Sequence, residues 1–393
     1  MNMNNKNWVS VWGNAVSIAE HHPEAYAKYI TLRYPVYIPF DGDTLRFTFD
    51  NYCGSEAVTV TRATVSAATS PVYEKMPLAC PCKKETICDI TFSKNESVTM
   101  EAHQTAVSDP VSFPVKKGMT LTVSLYFADF TLMQSAVLIT GPLSKGFFSL
   151  GDQTHADALP MDTTKTTNWF YFLSNIELMT AEENHTVICY GDSITAGAWP
   201  DYLTLLARQN PDNHTAFIRR ATSGSRVLRQ YECITYDSYG LKGTNRFPHE
   251  IPTTGADTVI IQQGINDIIH PIGIETNPFR PMSDLPTVKE LIDGYRYYIE
   301  EAKKLHLKVY MGTLLPIFGW RTYATFRDDL RNELNAWIRS AKEIDGCIDF
   351  DLALRGSENP SAFREGFDSG DHLHPSSKAY QAMAECAYEV LRK

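Results

Sequence analysis

Ser193 sits in the run C-Y-G-D-S-I-T-A-G, where an apolar stretch gives way to a Gly-Asp turn and a further glycine precedes the next helical stretch. A serine at such a turn presents its hydroxyl at the mouth of a sheet. The hydroxyl is a weak nucleophile at its ordinary pKa and needs a base within hydrogen-bond reach, itself held in one tautomer by a carboxylate. The run D-H-L-H-P near the C-terminus supplies both: Asp371 stands three residues before His374, just ahead of a helical stretch. His372 is the rival base, but it would need a different acid, and its place between Asp371 and Leu373 turns it another way. Ser193, His374 and Asp371 are therefore the expected catalytic triad. Alone, Gly-Asp-Ser reads as an ordinary turn with Asp or Ser as a helix cap; the companions carry the case.

Acyl transfer also needs donors aimed at the tetrahedral oxyanion. A-T-S-G-S-R offers Gly224, where no Cβ blocks a backbone N–H, and Q-Q-G-I-N-D-I offers the side-chain amide of Asn266. The N–H of Ser193 is the third expected donor. Singly these are turn or cap residues; together, at successive strand ends, they make an oxyanion hole. Trp199, Ile265, Phe318 and Trp320 flank the motifs and are expected to line the substrate pocket, an aromatic rim suiting a sugar ring or an aryl ester. Each would also serve as core. A metallohydrolase built on Asp192, Asp267, Asp371 and histidines is the chemical rival; chelator against fluorophosphonate separates the two. No metal and no organic cofactor is expected.

The elements that must position these residues follow from periodicity. After about residue 183, apolar runs (T-V-I-C-Y-G, A-F-I-R-R-A, D-T-V-I-I-Q-Q-G, K-V-Y-M-G-T-L-L, C-I-D-F) alternate with amphipathic stretches. Wholly apolar strands each followed by a helix predict a parallel sheet of about five strands covered on both faces, with chemistry beyond the carboxyl ends of the strands. From about residue 30 to 180, short β-branched and aromatic runs parted by turn signals predict an all-β sandwich or jelly roll, with T-L-T-V-S-L-Y-F alternating between a buried and a solvated face. S-N-I-E-L-M-T-A-E-E-N-H-T reads as the passage between domains, giving 1–182 and 183–393.

The four blocks GDSIT, the Gly224 loop, GIND and DHLHP run in that order between about Thr186 and Tyr380 and resemble the GDSL/SGNH hydrolase superfamily. The resemblance implies a flavodoxin-like, three-layer α/β domain and a catalytic Ser, Gly, Asn and His, matched by Ser193, Gly224, Asn266 and His374, with Asp371 as the acid. The preceding strands resemble, in pattern, the β-sandwich ahead of the hydrolase domain in some two-domain bacterial carbohydrate esterases. No long apolar lid is visible near the motifs, which favours a short acyl group. The expected activity is removal of O-acetyl groups from carbohydrate, with an oligosaccharide or small-molecule ester as substrate. The alternatives are a lipase or acyl thioesterase of the same superfamily, or a glycan- or protein-binding module on a vestigial hydrolase fold.

Composition excludes other classes. The 393 residues are 43% apolar and 21% charged, with a formal charge of −10 spread along the chain. No apolar run nears the roughly 18 residues of a membrane span, and no basic stretch interleaved with aromatics suits nucleic acid or anionic lipid. The N-terminal stretch lacks the pattern of a secretory signal, so a cytoplasmic address is expected. Cys80, Cys82 and Cys88, with Cys53, are spaced unlike a usual zinc site and are expected to be reduced loop thiols. The oligomeric state is left open by the sequence.

Overall fold

The computed structural model describes residues 6–19 and 26–392. Residues up to Thr186 together with Pro211–Ile218 form one compact unit, and Val187–Asn210 with Arg219–Lys393 the other.

The first unit is built of antiparallel strands in two principal sheets. One contains Lys6–Gly13, Leu173–Ala181, Gly42–Asp50, Thr105–Val107 and Val111–Val115; the other contains Lys165–Thr167, Gly146–Leu150, Ile30–Tyr37, Thr120–Phe127, Arg62–Ala67 and Cys88–Ile90. This is a β-sandwich. In Gly42–Asp50 the two-residue period holds, burying Leu45, Phe47 and Phe49 while the residues between stay partly accessible.

Two expectations for this half are corrected. Thr120–Phe127 is buried on both faces. Its polar side chains are paired: Ser66 Oγ and Thr122 Oγ1 are 2.6 Å apart, and Arg33 Nε donates to Ser124 Oγ at 2.9 Å. The buried Arg33 also donates to the carbonyls of Cys80, Gln153 and Ala156, so the segments carrying them roof the face expected in water. Cys80 and Cys82 are accordingly buried, burial pushing the Cys80 thiol up to about 12, while Cys53 and Cys88 are half-buried.

The second correction concerns the expected interdomain passage. Leu173–Ala181 is an inner strand of its sheet, paired with Lys6–Gly13 on one side and Gly42–Asp50 on the other. The polar Asn175 and Glu177 disguised it; Asn175 Nδ2 donates to Ser10 Oγ at 2.9 Å, and Glu177 accepts from Arg46 at 2.5 Å.

The α/β half carries one five-stranded parallel sheet, β1 (His185–Gly191), β2 (Thr215–Ala221), β3 (Ala256–Gln262), β4 (Lys308–Gly312) and β5 (Gly346–Ile348), in spatial order β2-β1-β3-β4-β5. This is the flavodoxin-like order. Its strands are the apolar runs expected. The helices Trp199–Arg208, Val288–Lys304, Thr325–Ser340 and Ser377–Leu391 fall on the amphipathic stretches. The longest begins with a capping box between Thr287 and Glu290.

Candidate active site

Ser193 opens the short helix Ser193–Ala196 immediately beyond β1. Asp192 is its N-cap, with Oδ1 accepting from Ile194 N at 3.0 Å. The turn needs Gly191: a Cβ there would stand 2.3 Å from the carbonyl oxygen of Gln262 at the end of β3. As the first residue of a helix, Ser193 has a backbone N–H without an intrahelical acceptor.

His374 comes from the loop before the last helix. Ser193 Oγ lies 2.9 Å from His374 Nε2, and His374 Nδ1 lies 2.6 Å from Asp371 Oδ2. The Asp371 contact fixes the proton on Nδ1 and leaves Nε2 to accept from the serine. Asp371 Oδ1 accepts from the N–H groups of Leu373 and His374 at 3.0 and 2.8 Å. Burial raises its pKa, but the hydrogen bonds from the His374 ring and from these N–H groups outweigh it and bring the carboxyl down to about 2. Ser193 and His374 are both partly accessible.

His372 has an acid of its own, a residue the sequence reading did not single out: Asp368 Oδ2 lies 2.5 Å from His372 Nδ1. The hairpin that separates the two imidazoles places His372 at φ +64°, with Asp368 Oδ1 accepting from the N–H of Gly370 and His372. His372 is turned onto Gly319, where an added Cβ would meet its ring at 2.8 Å.

Gly224 lies in the turn after β2 at φ +77°, a left-handed conformation that favours glycine. A Cβ there would also stand 2.3 Å from the Tyr239 ring. Asn266 is in the helix Ile265–Ile269 after β3; its Nδ2 donates to Ser225 O at 3.1 Å, tying the two loops and leaving its second N–H for another acceptor. Asp267 braces the same pair of loops, accepting from Val227 N at 2.7 Å and Leu228 N at 3.0 Å. Burial pushes the Asp192 and Asp267 carboxyls up, to about 7 and about 6. Asp192, Asp267 and Asp371 are thus occupied as cap, brace and histidine partner. Among the described residues, no three His, Cys, Asp or Glu side chains gather as a metal site.

Two expected pocket residues are core instead. Trp199 is fully buried, its Nε1 donating to Thr195 Oγ1 at 3.3 Å and its ring 5.5 Å from Phe350. Ile265 is also fully buried. A tryptophan six residues beyond the Gly-Asp-Ser turn has the same sequence signature whether it faces the cleft or the core. Phe318 is exposed and Trp320 half-buried, flanking Gly319 and so lying beside the His372 hairpin.

Residues 189–382 match the GDSL-like Lipase/Acylhydrolase family. Among solved structures, a GDSL-like lipase from Bacteroides thetaiotaomicron is 20% identical, the match covering 54% of this chain and 89% of that one at a TM-score of 0.39. An acetylxylan esterase from Geobacillus stearothermophilus is 16% identical, covering 52% and 93% at 0.38. The esterase EstA from a Pseudoalteromonas species is 15% identical, covering 53% and 97% at 0.38. No match was found among curated proteins.

Proposed function

We propose, for a chain that belongs to the GDSL-like lipase/acylhydrolase family through residues 189–382 and is a carboxylic ester hydrolase, that it removes acetyl groups from carbohydrate through an acyl-enzyme on Ser193. The observation that carries the reading is the continuous relay from Ser193 Oγ through the His374 ring to Asp371, at 2.9 and 2.6 Å.

In the proposed cycle His374 Nε2 takes the serine proton as Oγ attacks the ester carbonyl. Asp371 holds the imidazole in place and stabilises its charged form. The developing oxyanion is received by the N–H groups of Ser193 and Gly224 and by Asn266 Nδ2. Collapse breaks the bond to the alcohol, which leaves with the proton from His374. Water then attacks the acetyl-serine, with His374 again the base.

The short acyl group and the sugar rest on the surroundings. No long apolar lid flanks the motifs in sequence, and Phe318 offers an exposed ring beside the His372 hairpin on which a sugar could stack. The test is acetate release from acetylated xylo- and manno-oligosaccharides, beside p-nitrophenyl acetate and octanoate, with Ser193→Ala as control. Sugar acetates are expected to be cleaved with the higher kcat/KM. Faster hydrolysis of the octanoate would overturn the acetyl assignment, and cleavage of artificial acetate alone would overturn the sugar.

A further inference from the structure

The loops after β2 and after Asn266 bring together Tyr231, Tyr236, Tyr239, His270, Arg226 and Arg280. The rings form a contiguous cluster: Tyr231 and Tyr236 are 4.8 Å apart, Tyr236 and Tyr239 5.6 Å, and Tyr239 and His270 5.2 Å. It packs directly on the proposed oxyanion residues. The Tyr239 ring fills the space that a Cβ on Gly224 would need, and His270 N donates to Asn266 O at 3.1 Å.

The two cations in this cluster are treated differently. Arg226 is paired with Asp284 at 3.0 Å, and the other oxygen of Asp284 lies 3.9 Å from Arg229. Arg280 is only 6% exposed, and its guanidinium stacks 4.4 Å from the Tyr236 ring centre and 5.7 Å from that of Tyr231. Its Nε makes no hydrogen bond, and no carboxylate among the described residues pairs with it. A guanidinium cannot shed its proton, so a largely buried one with Nε unbonded and no counter-charge favours an anionic partner. Arg226 Nε, Tyr231 Oη and His270 Nδ1 are likewise buried without partners. Burial first, and then Arg280, Arg226 and Arg321, hold His270 well below its ordinary pKa, so it adds no charge of its own.

We propose that this cluster is a carboxylate-binding subsite, with Arg280 as its anchor, so that the preferred ester carries a free carboxylate close to the bond that is cut. Guanidinium and carboxylate match in charge and in the geometry of their paired hydrogen bonds, and stacked tyrosines hold the guanidinium in plane. The carboxylate has two chemical sources. It belongs to the alcohol if the ester is an acetylated uronic acid, or to the acyl group if the ester is the half-ester of a dicarboxylic acid. The proposal rests on ester cleavage at Ser193 as described above, but not on the acyl group being acetyl.

The experiment compares kcat/KM in two arms: an acetylated methyl glucuronoside against its neutral methyl ester, and p-nitrophenyl hemisuccinate against p-nitrophenyl methyl succinate. In one arm the free carboxylate is expected to win by about tenfold to a hundredfold, the range for a charged hydrogen-bonded partner, and that arm identifies the source. In Arg280→Gln this ratio should fall to near one, and Arg280→Lys should retain part of it. If Arg280→Gln does not fold, inhibition of wild type decides: glucuronate or succinate should compete with p-nitrophenyl acetate where glucose and succinamide do not. Equal rates for charged and neutral esters in both arms, or equal inhibition by charged and neutral competitors, overturns the subsite. A hemisuccinate preference with inert sugar acetates would instead retain the subsite and refute the carbohydrate acetyl reading.

Discussion

Asp371 divides its carboxylate between the His374 ring and two backbone N–H groups, so it remains ionised at every pH at which an imidazole titrates. Asp371→Asn would keep the shape but favour the wrong tautomer, and kcat should fall by about 10⁴-fold. His372→Asn, which removes the imidazole turned onto Gly319, should cost less than about tenfold in p-nitrophenyl acetate turnover; comparable losses in the two variants would reverse the assignment of base. Asp192 gives a pH signature of its own. It is fully buried, one oxygen lacks a partner, and burial raises its pKa to about 7. The folded chain holds a proton that the unfolded chain releases near pH 4, so the stability this neutral acid confers is complete below about pH 4 and is lost as pH rises towards 7. Asp267, its pKa raised to about 6, acts in the same direction, so Asp192→Asn should remove part of the destabilisation that sets in between about pH 4 and 7, read as a less negative slope of melting temperature against pH; an unchanged slope would contradict this. At this scale the relay was legible because D-x-x-H places acid and base within reach of each other across one turn. Trp199 was not, because residue type alone does not say which way a side chain faces, and Asp368 was not, because a left-handed residue at His372 creates its contact.

The loops after β2 and β3 act as one piece, joined by Asn266 to Ser225 and by Asp267 to Val227 and Leu228. Asn266→Ala should lower kcat by about 10² to 10³ with little change in KM, the usual loss on removing one oxyanion donor. A change confined to KM would take Asn266 out of the oxyanion hole. A second brace holds the end of β4: Arg331, 1% exposed, pairs with Asp328 and Asp351 at 2.8 Å each and donates to Leu314 O. Arg331→Ala would leave the buried Asp328 without its cation, while Asp351 keeps Arg339 and Arg355 at 2.6 and 3.1 Å, and should cost about 3–5 kcal/mol in chemical denaturation. The parallel strands were legible because their runs are largely apolar and the first three end at motifs. Leu173–Ala181 was hidden because Asn175 and Glu177 find partners only in neighbouring strands distant in sequence. Thr120–Phe127 shows the converse, an alternating strand whose polar side is roofed by carbonyl groups accepting from a buried arginine.

For the whole molecule, two compact units and a formal charge of −10 coexist with a cationic, tyrosine-walled subsite in the hydrolase half. The overall charge was readable from composition, whereas the subsite was not, since Arg226, Arg280 and Arg321 lie far apart in sequence and converge only through the loops after β2, β3 and β4. Among the described residues no helix is long and apolar enough to cross a membrane. Because the proposed cycle is run by side chains and water, exhaustive dialysis against a chelator should leave esterase activity within about twofold, while a fluorophosphonate should abolish it. Loss with chelator and restoration by a divalent cation would call for a different mechanism. The measurement that reaches the central claim most directly is mass spectrometry of the protein quenched in acid during turnover of p-nitrophenyl acetate. The account predicts one acetyl group on the peptide containing Ser193 and none in Ser193→Ala, whose turnover should fall by more than about 10⁴-fold. An acetyl group on another residue, or full turnover by Ser193→Ala, would contradict it.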